Sequence, residues 1–245
     1  MDKDIKLVAL DMDGTVLNNE GVISAENANA IQLAQERGVT VVFSTGRTYM
    51  RCIDFAKSLN LSSYLITVNG SEIWDGNGEL VERVHMPHES MAWMWNLAKK
   101  HQIPFWAVGH DGIWDNKMPE DLTSTEWMKI RFEFAEEELK RSVMEAIHQK
   151  GGFEVSNSSP SNLEVNMFGV DKAKAIQKVC GLLDISMDEV MAMGDSLNDL
   201  AMIKQAGLGI AMGNAQEAVK EQADWVTAAN DQNGVSVALH NWILS

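Results

Sequence analysis

The sequence predicts an α/β fold: a core built on a parallel sheet, with a smaller α+β domain inserted into it. Short apolar runs alternate with helical segments over residues 5–68 and again over 188–243. This alternation favours a parallel sheet covered by helices on both faces. Residues 83–166 break the alternation with helix–hairpin patterns. We therefore expect a discontinuous core of residues 1–82 and 167–245 and an inserted domain of residues 83–166.

The core elements can be placed in order along the chain. Its strands are short and almost continuously apolar, which is typical of strands buried on both faces. Ser24 and Gly38 mark the expected start and stop of the first helix. In chain order we expect strand 5–10, helix 24–37, strand 39–44, helix 47–59, strand 64–68, strand 188–196, helix 199–206, strand 208–214, helix 215–223, strand 224–227 and helix 234–243. Such a core is Rossmann-like.

The inserted domain has a different order of elements. Asp111-Gly112 is a strong hairpin dipeptide, so a hairpin is expected over 105–116. The other expected elements are helix 89–101, strand 127–134, helix 136–150 and strands 153–157 and 162–168. This order is that of an α+β layer.

Composition limits the class of protein and its partners. The 245 residues carry a formal net charge of −15, with 45% hydrophobic and 22% charged residues, as in an ordinary soluble globular protein. The acidic balance argues against nucleic acid or an anionic membrane surface as a partner. Cys52 and Cys180 form no CxxC pair, which favours a reducing compartment. We see no signal peptide and no apolar run near the roughly 20 residues of a membrane helix, so we expect a cytoplasmic protein.

Polar residues follow three strands of the expected core. Asp11-Met-Asp-Gly ends the first strand, Ser-Thr45-Gly46-Arg47 the second and Asn69-Gly the third. In open α/β sheets, ligands bind at the carboxyl ends of the strands. These strand ends therefore predict one site.

Asp11 and Asp13 are two like charges in close succession, and Gly14 permits a bend that lets both converge. Two nearby carboxylates raise each other's pKa unless a cation compensates, and Mg²⁺ prefers such oxygen ligands. An EF-hand is excluded, because its loop would place Thr15, Val16 and Val22 at the fifth, sixth and twelfth positions.

A second acidic cluster, "GDSLND" over 194–199, lies at another strand end. Its acids would cap a helix N-terminus if considered alone. Beside the Asp11/Asp13 pair, Asp195 instead provides a third carboxylate for a Mg²⁺ site.

Four ordered motifs resemble those of a known family. "DMDGT", "STGR", the lysine of "GVDKAKAI" and "GDSLND" are similar to the motifs of the haloacid dehalogenase-like superfamily of phosphatases. "NGSEI" and "IAMGNA" resemble its Cof-type group, and the position of the insert resembles the C2B class of cap domains. The resemblance covers nearly the whole chain and implies an HAD-like core with an α+β cap.

The resemblance also implies roles for individual residues. Asp11 would be the nucleophile that forms an aspartyl-phosphate, and Asp13 the general acid and base. Thr45, helped by the Gly46 N–H, would hold the phosphoryl oxygens, and Lys172 would neutralise charge. Lys174 is a weaker alternative to Lys172, since the family often has Gly where this chain has Ala173.

The metal and substrate residues follow from the same resemblance. Mg²⁺ would be bound by Asp11, Asp195 and the backbone carbonyl of Asp13, with Asp199 supporting the metal shell. Arg47, Asn69 and Asn198 would lie on the substrate side. For Arg47, a salt bridge at the start of a helix is the alternative.

The expected function is that of a Mg²⁺-dependent phosphatase acting on a small phosphorylated metabolite, such as a sugar phosphate. A sugar phosphomutase of the same superfamily is one alternative. A non-catalytic regulator that binds a phosphometabolite is another, because fold alone does not fix activity.

Overall fold

The computed structural model describes residues 4–245. Residues 1–3, on which the absence of a signal peptide partly rests, lie outside the described residues. The chain divides into two compact units, a core unit of residues 4–82 and 172–245 and an inserted unit of residues 83–171. The second boundary falls later than the expected 166/167, because the Phe168 N–H still donates to Gly152 O within the inserted unit and the next core helix begins only at Lys172.

The strands and helices of residues 4–245 are numbered here in chain order. The strands are β1 (Leu7–Leu10), β2 (Thr40–Ser44), β3 (Leu65–Thr67), β4 (Glu72–Trp74), β5 (Leu80–Arg83), β6 (Phe105–Gly109), β7 (Gly112–Asp115), β8 (Trp127–Glu133), β9 (Phe153–Ser156), β10 (Asn162–Met167), β11 (Val190–Gly194), β12 (Leu208–Ala211) and β13 (Trp225–Val226). The α-helices are α1 (Ala25–Glu36), α2 (Tyr49–Ser58), α3 (His88–His101), α4 (Glu137–Lys150), α5 (Lys172–Leu183), α6 (Leu200–Gln205), α7 (Glu217–Lys220) and α8 (Gly234–Leu239).

The core sheet has the order β13-β12-β11-β1-β2-β3-β4-β5. Neighbouring strands from β13 to β3 are parallel, which confirms the predicted parallel-sheet core. β4 pairs with β3 in the antiparallel direction, and neither β4 nor β5 was predicted. The sheet is therefore mixed at this edge.

Helices cover both faces of the core sheet. Alternate residues of β1 point to opposite faces. Leu10 belongs to one buried apolar cluster with Ile31 of α1, and Ala9 belongs to a second cluster with Ile176 of α5. Because both faces are apolar and covered, polar groups can collect only where the strands end.

The inserted unit is built on a five-stranded antiparallel sheet of order β7-β6-β8-β10-β9. Ile130 and Phe132 of β8 share a buried cluster with Met94 of α3 and Ile147 of α4. The hairpin between β6 and β7 turns at residues 110–111, one residue before the predicted dipeptide, because Gly109 pairs with Gly112.

An ion pair links β5 and α5, the two core elements on either side of the inserted unit. Glu82 lies in β5, just before the boundary, and Lys178 lies in α5, which begins at Lys172. The Lys178 ammonium contacts the Glu82 carboxylate. The pair thereby links β5 to the middle of α5 within the core unit.

Within residues 4–245, no helix has both the length and the apolar character needed to cross a membrane.

Candidate active site

The candidate site lies at the carboxyl ends of three adjacent core strands. Asp11 follows β1, Thr45 follows β2 and Asp195 follows β11. β1 lies between β11 and β2, in register with both. The sheet order therefore brings together residues that are far apart in the sequence.

Lys172 forms the centre of a buried ionic cluster. Its Nζ donates to Asp11 Oδ1 at 2.5 Å and to Asp199 Oδ1 at 2.6 Å, and the side chains of Lys172 and Asp199 are both 0% exposed. Burial alone would lower the pKa of Lys172, but the charges of Asp11 and Asp199 outweigh it and raise the pKa above its usual value. Lys172 is therefore held as a cation. Lys174, by contrast, is exposed.

The negative charges around Asp11 exceed the single positive charge of Lys172. Burial, together with the charges of Asp199 and Asp195, raises the pKa of Asp11 well above its usual value, although Lys172 opposes this. A buried carboxylate stays ionised only where nearby cations outweigh the cost of desolvation. A further cation would thus reduce the repulsion among these carboxylates.

Asp195 is the third carboxylate at this edge. Its Oδ1 accepts from Thr15 Oγ1 at 3.2 Å and its Oδ2 accepts from Ser196 Oγ at 2.8 Å. Burial and the charge of Asp199 raise the pKa of Asp195 to about 7. One carboxylate oxygen from each of Asp11, Asp195 and Asp199 can be chosen so that all three lie within 4.8 Å of one another. These hard oxygen donors fit a divalent cation such as Mg²⁺.

Gly14 leaves room for this carboxylate. A Cβ at residue 14 would lie 2.7 Å from Asp195 Oδ2, and the backbone at Gly14 has φ of 78°. Both observations favour glycine at this position. The glycine of "DMDGT" thus permits the close approach between the loops after β1 and β11.

Asp199 is engaged by protein groups on both of its oxygens. Besides Lys172 on Oδ1, the backbone N–H groups of Asp195 and Ser196 donate to Oδ2, each at 3.0 Å. Asp199 therefore caps the helical turn Leu197–Asp199 with Ser196 and also anchors Lys172. Helix capping was the alternative role for the acids of this motif. Asp199 has that role and also belongs to the acidic cluster.

Arg47 and Asp13 form a two-point ion pair. Arg47 Nε donates to Asp13 Oδ2 at 2.8 Å and Nη2 donates to Asp13 Oδ1 at 2.6 Å. The hydrogen bonds to Asp13 outweigh partial burial and raise the pKa of Arg47. The Asp13 side chain is 61% exposed and lies outside the buried cluster. The salt-bridge alternative for Arg47 is thus realised, but with the predicted acid/base residue as its partner.

The loops after β2 and β3 are joined by backbone hydrogen bonds. The Val68 N–H donates to Arg47 O and the Asn69 N–H donates to Thr45 O, both at 2.9 Å. Thr45 is buried and Gly46 half-buried. Both Val68 and Asn69 have left-handed backbone, a conformation that costs about 1–3 kcal/mol in a non-glycine residue.

Asn198 contacts Asn69 from the loop after β11. Its Nδ2 donates to Asn69 Oδ1 at 3.4 Å, while its Oδ1 is buried and has no hydrogen-bond partner among the described residues. The predicted site residues thus fall into a buried group around Lys172 and a second group of Asp13, Thr45, Arg47, Asn69 and Asn198.

Sequence reasoning missed Thr15 and Ser196 as supports of Asp195. Each follows a motif aspartate closely in the chain. A hydroxyl residue beside an acidic strand end could have indicated a hydrogen bond to the carboxylate. It also missed Val68, whose left-handed backbone no sequence pattern indicates.

Comparison with known proteins identifies the family. The family model of the haloacid dehalogenase-like hydrolases matches residues 8–127 and 115–239. The chain is 51% identical over 243 residues to the 5-amino-6-(5-phospho-D-ribitylamino)uracil phosphatase of Bacillus subtilis, covering 99% of this chain and 98% of that protein. It is 29% identical over 262 residues to the HMP-PP phosphatase of Yersinia pestis, covering 98% and 96%.

A solved sugar phosphatase of HAD subclass IIB has the same fold. It aligns with a TM-score of 0.86 at 26% identity, covering 96% of this chain and 98% of that one. The similarities in sequence and structure confirm the family resemblance and the fold class that the motifs predicted. The chain therefore belongs to the haloacid dehalogenase-like hydrolases, and within them to the phosphatases.

Proposed function

We propose that the protein is a Mg²⁺-dependent phosphomonoesterase that works through an aspartyl-phosphate on Asp11. The observation that carries this proposal is the buried cluster in which Lys172 Nζ lies 2.5 Å from Asp11 Oδ1. A fixed cation beside a nucleophilic carboxylate neutralises charge that a phosphoryl group would otherwise repel. Asp195 and Asp199 complete an acidic group suited to a divalent cation.

The first half of the reaction transfers the phosphoryl group. A carboxylate oxygen of Asp11 attacks phosphorus and the bond from phosphorus to the ester oxygen breaks. Asp13, protonated on one oxygen while Arg47 donates to the other, gives its proton to the departing alkoxide. Thr45 and the Gly46 N–H bind phosphoryl oxygens, while Arg47 and Asn198 lie on the substrate side.

In the second half, Asp13 takes a proton from water, whose oxygen attacks phosphorus. The bond between phosphorus and the Asp11 oxygen then breaks, which releases inorganic phosphate and restores the carboxylate. Before the attack by Asp11, Lys172 is held protonated, because the charges of Asp11 and Asp199 raise its pKa.

Mg²⁺ would be held by Asp11, Asp195 and the backbone carbonyl of Asp13, with Asp199 in support. When bound, the ion offsets charge on the transferring phosphoryl group. Asp199 keeps Lys172 in place, and Thr15 and Ser196 orient the Asp195 carboxylate.

For the substrate we propose 5-amino-6-(5-phospho-D-ribitylamino)uracil, or a close relative with a phosphate on a polyol chain. The support is the 51% identity to a Bacillus subtilis phosphatase named for that compound. A sugar phosphate, suggested by the subclass IIB structure, and HMP-PP, suggested by the Yersinia pestis relative, are the alternatives.

The test is phosphate release from these three compound classes, with Mg²⁺ and with the metal chelated. We expect the highest kcat/KM on the phosphoribityl compound, dependence on Mg²⁺, and loss of turnover in Asp11→Asn. Full activity in Asp11→Asn would exclude the covalent mechanism. Isomerisation of a hexose phosphate without phosphate release would favour a mutase, and tight binding without turnover would favour a regulator.

A further inference from the structure

Three consecutive residues after β3 have left-handed backbone. Val68, Asn69 and Gly70 have φ of 52°, 59° and 99°. A positive φ is uncommon outside glycine, and for a β-branched residue such as valine it is an outlier. Such a conformation persists only where its surroundings hold it in place, and it often does so at functional sites. The contacts made by the backbone and side chains of this turn should therefore explain its conformation.

The first set of contacts runs to the loop after β2. The left-handed conformation directs two successive N–H groups onto that loop, from Val68 to Arg47 O and from Asn69 to Thr45 O. Within the loop, the Arg47 N–H donates to Thr45 Oγ1 at 3.2 Å. The turn thereby fixes the backbone that carries both the phosphate-binding hydroxyl and the arginine that holds Asp13.

The second contact runs to the loop after β11. Asn69 Oδ1 accepts from Asn198 Nδ2, and Asn198 precedes Asp199, which anchors Lys172. Asn69 is 3% exposed, so its groups face the protein. The side chain and the backbone of one residue thus connect two loops of the site.

We propose that the turn Val68–Gly70 is a positioning element and that Asn69 acts through Thr45 and Asn198, without touching the phosphate. This inference rests on the proposed function and replaces the substrate contact that the family resemblance implied for Asn69. In this view, the strained left-handed backbone is retained because it positions the loop after β2 and the loop after β11.

A double-mutant cycle tests the side-chain contact. Asn69→Gly tolerates the left-handed backbone and removes the amide, and Asn198→Ala removes its partner. We expect each single variant to lower kcat/KM about tenfold, and the double variant to lie within about twofold of the worse single variant. Multiplication of the two single effects would show that Asn69 acts on the substrate independently and would overturn the inference.

A second comparison tests the backbone. Asn69→Ala removes the same amide but disfavours a left-handed φ, so it should have a lower kcat than Asn69→Gly and faster amide hydrogen exchange at Val68 and residue 69. Asn60→Ala is the matched control, because Asn60 has φ of 53° and is exposed. It should leave kcat unchanged.

Equal kcat and equal exchange in Asn69→Ala and Asn69→Gly would overturn the positioning role of the backbone. A wild-type protein that releases no phosphate from any compound would instead overturn the proposed function, and this inference with it. The two failures are distinguishable, because only the second abolishes wild-type turnover.

Discussion

Arg47 holds Asp13 at both carboxylate oxygens, across 34 residues of sequence. The arginine is itself steadied, since its guanidinium carbon lies 5.4 Å from the centre of the Phe55 ring and Nη1 donates to Arg51 O at 3.4 Å. The proposed acid/base thus has a fixed direction although most of its side chain is exposed.

Replacing Arg47 by lysine should lower kcat/KM by about tenfold or more, because one ammonium cannot make the two parallel hydrogen bonds of a guanidinium. The measurement is steady-state phosphate release. Arg51→Lys is the matched control, since Arg51 is exposed and lies in the first turn of α2, directly after the loop that carries Arg47. Equal kcat/KM in Arg47→Lys and wild type would contradict the positioning of Asp13 by Arg47.

Replacing Lys172 by methionine should abolish turnover and lower the free energy of unfolding by about 3–5 kcal/mol, because Asp11 and Asp199 would lose their buried partner. Urea denaturation and phosphate release measure the two effects. Lys174→Met, at an exposed position on the same helix, should change stability by no more than about 0.5 kcal/mol. Retained turnover in Lys172→Met would argue against charge neutralisation by Lys172.

Replacing Gly14 by alanine should weaken the apparent affinity for Mg²⁺ by about 10–100-fold, because the new Cβ would displace the Asp195 carboxylate. Activity titrated against Mg²⁺ concentration is the measurement. Gly21→Ala is a close control: Gly21 also has a positive φ, of 74°, but within residues 4–245 a Cβ added there would meet no atom within 4 Å beyond its chain neighbours. If both variants required more Mg²⁺ to the same extent, backbone strain and not the clash would be responsible.

The metal-free protein should lose stability as the pH rises from about 4 towards 7. The folded-state pKa of Asp195 is raised to about 7, so in this window the folded protein binds more protons than the unfolded chain. The slope from one such group is at most about 1.4 kcal/mol per pH unit. Thermal unfolding at several pH values, with the metal chelated, measures it.

Asp195→Asn should reduce this pH dependence and leave the part due to Asp11, whose pKa is also raised. Mg²⁺ should reduce the pH dependence in the wild-type protein. Stability that rises over this window in the metal-free protein would show that other groups dominate.

The order of core elements was predictable because each inner strand is a short apolar run between clear helix signals. β4 escaped prediction because it has only three residues and contains Glu72, which is buried where it accepts from Thr67 Oγ1 and Trp74 Nε1. β5 escaped because Leu80 and Val81 are exposed, as is typical of an edge. Both strands depend on tertiary contacts that local sequence does not encode.

Site residues next to strand ends were predictable because sheet topology gathers them. Their pairings were not, since the contacts of Arg47 with Asp13 and of Asn69 with Asn198 depend on side-chain directions in separate loops. The left-handed backbone of Val68 likewise follows from the hydrogen bonds that hold it, and not from valine's own preference.

The ion pair between Glu82 and Lys178 has a consequence for how this chain can be modified. It links β5 and α5, which lie on either side of the inserted unit in the sequence. Lys172 is bound by two aspartates of the same core unit. Both sets of contacts lie within the core unit and involve no residue of the inserted unit. Replacing residues 83–171 by the inserted unit of another phosphatase should therefore leave Lys172 in place, which makes this junction a practical splice site for engineering.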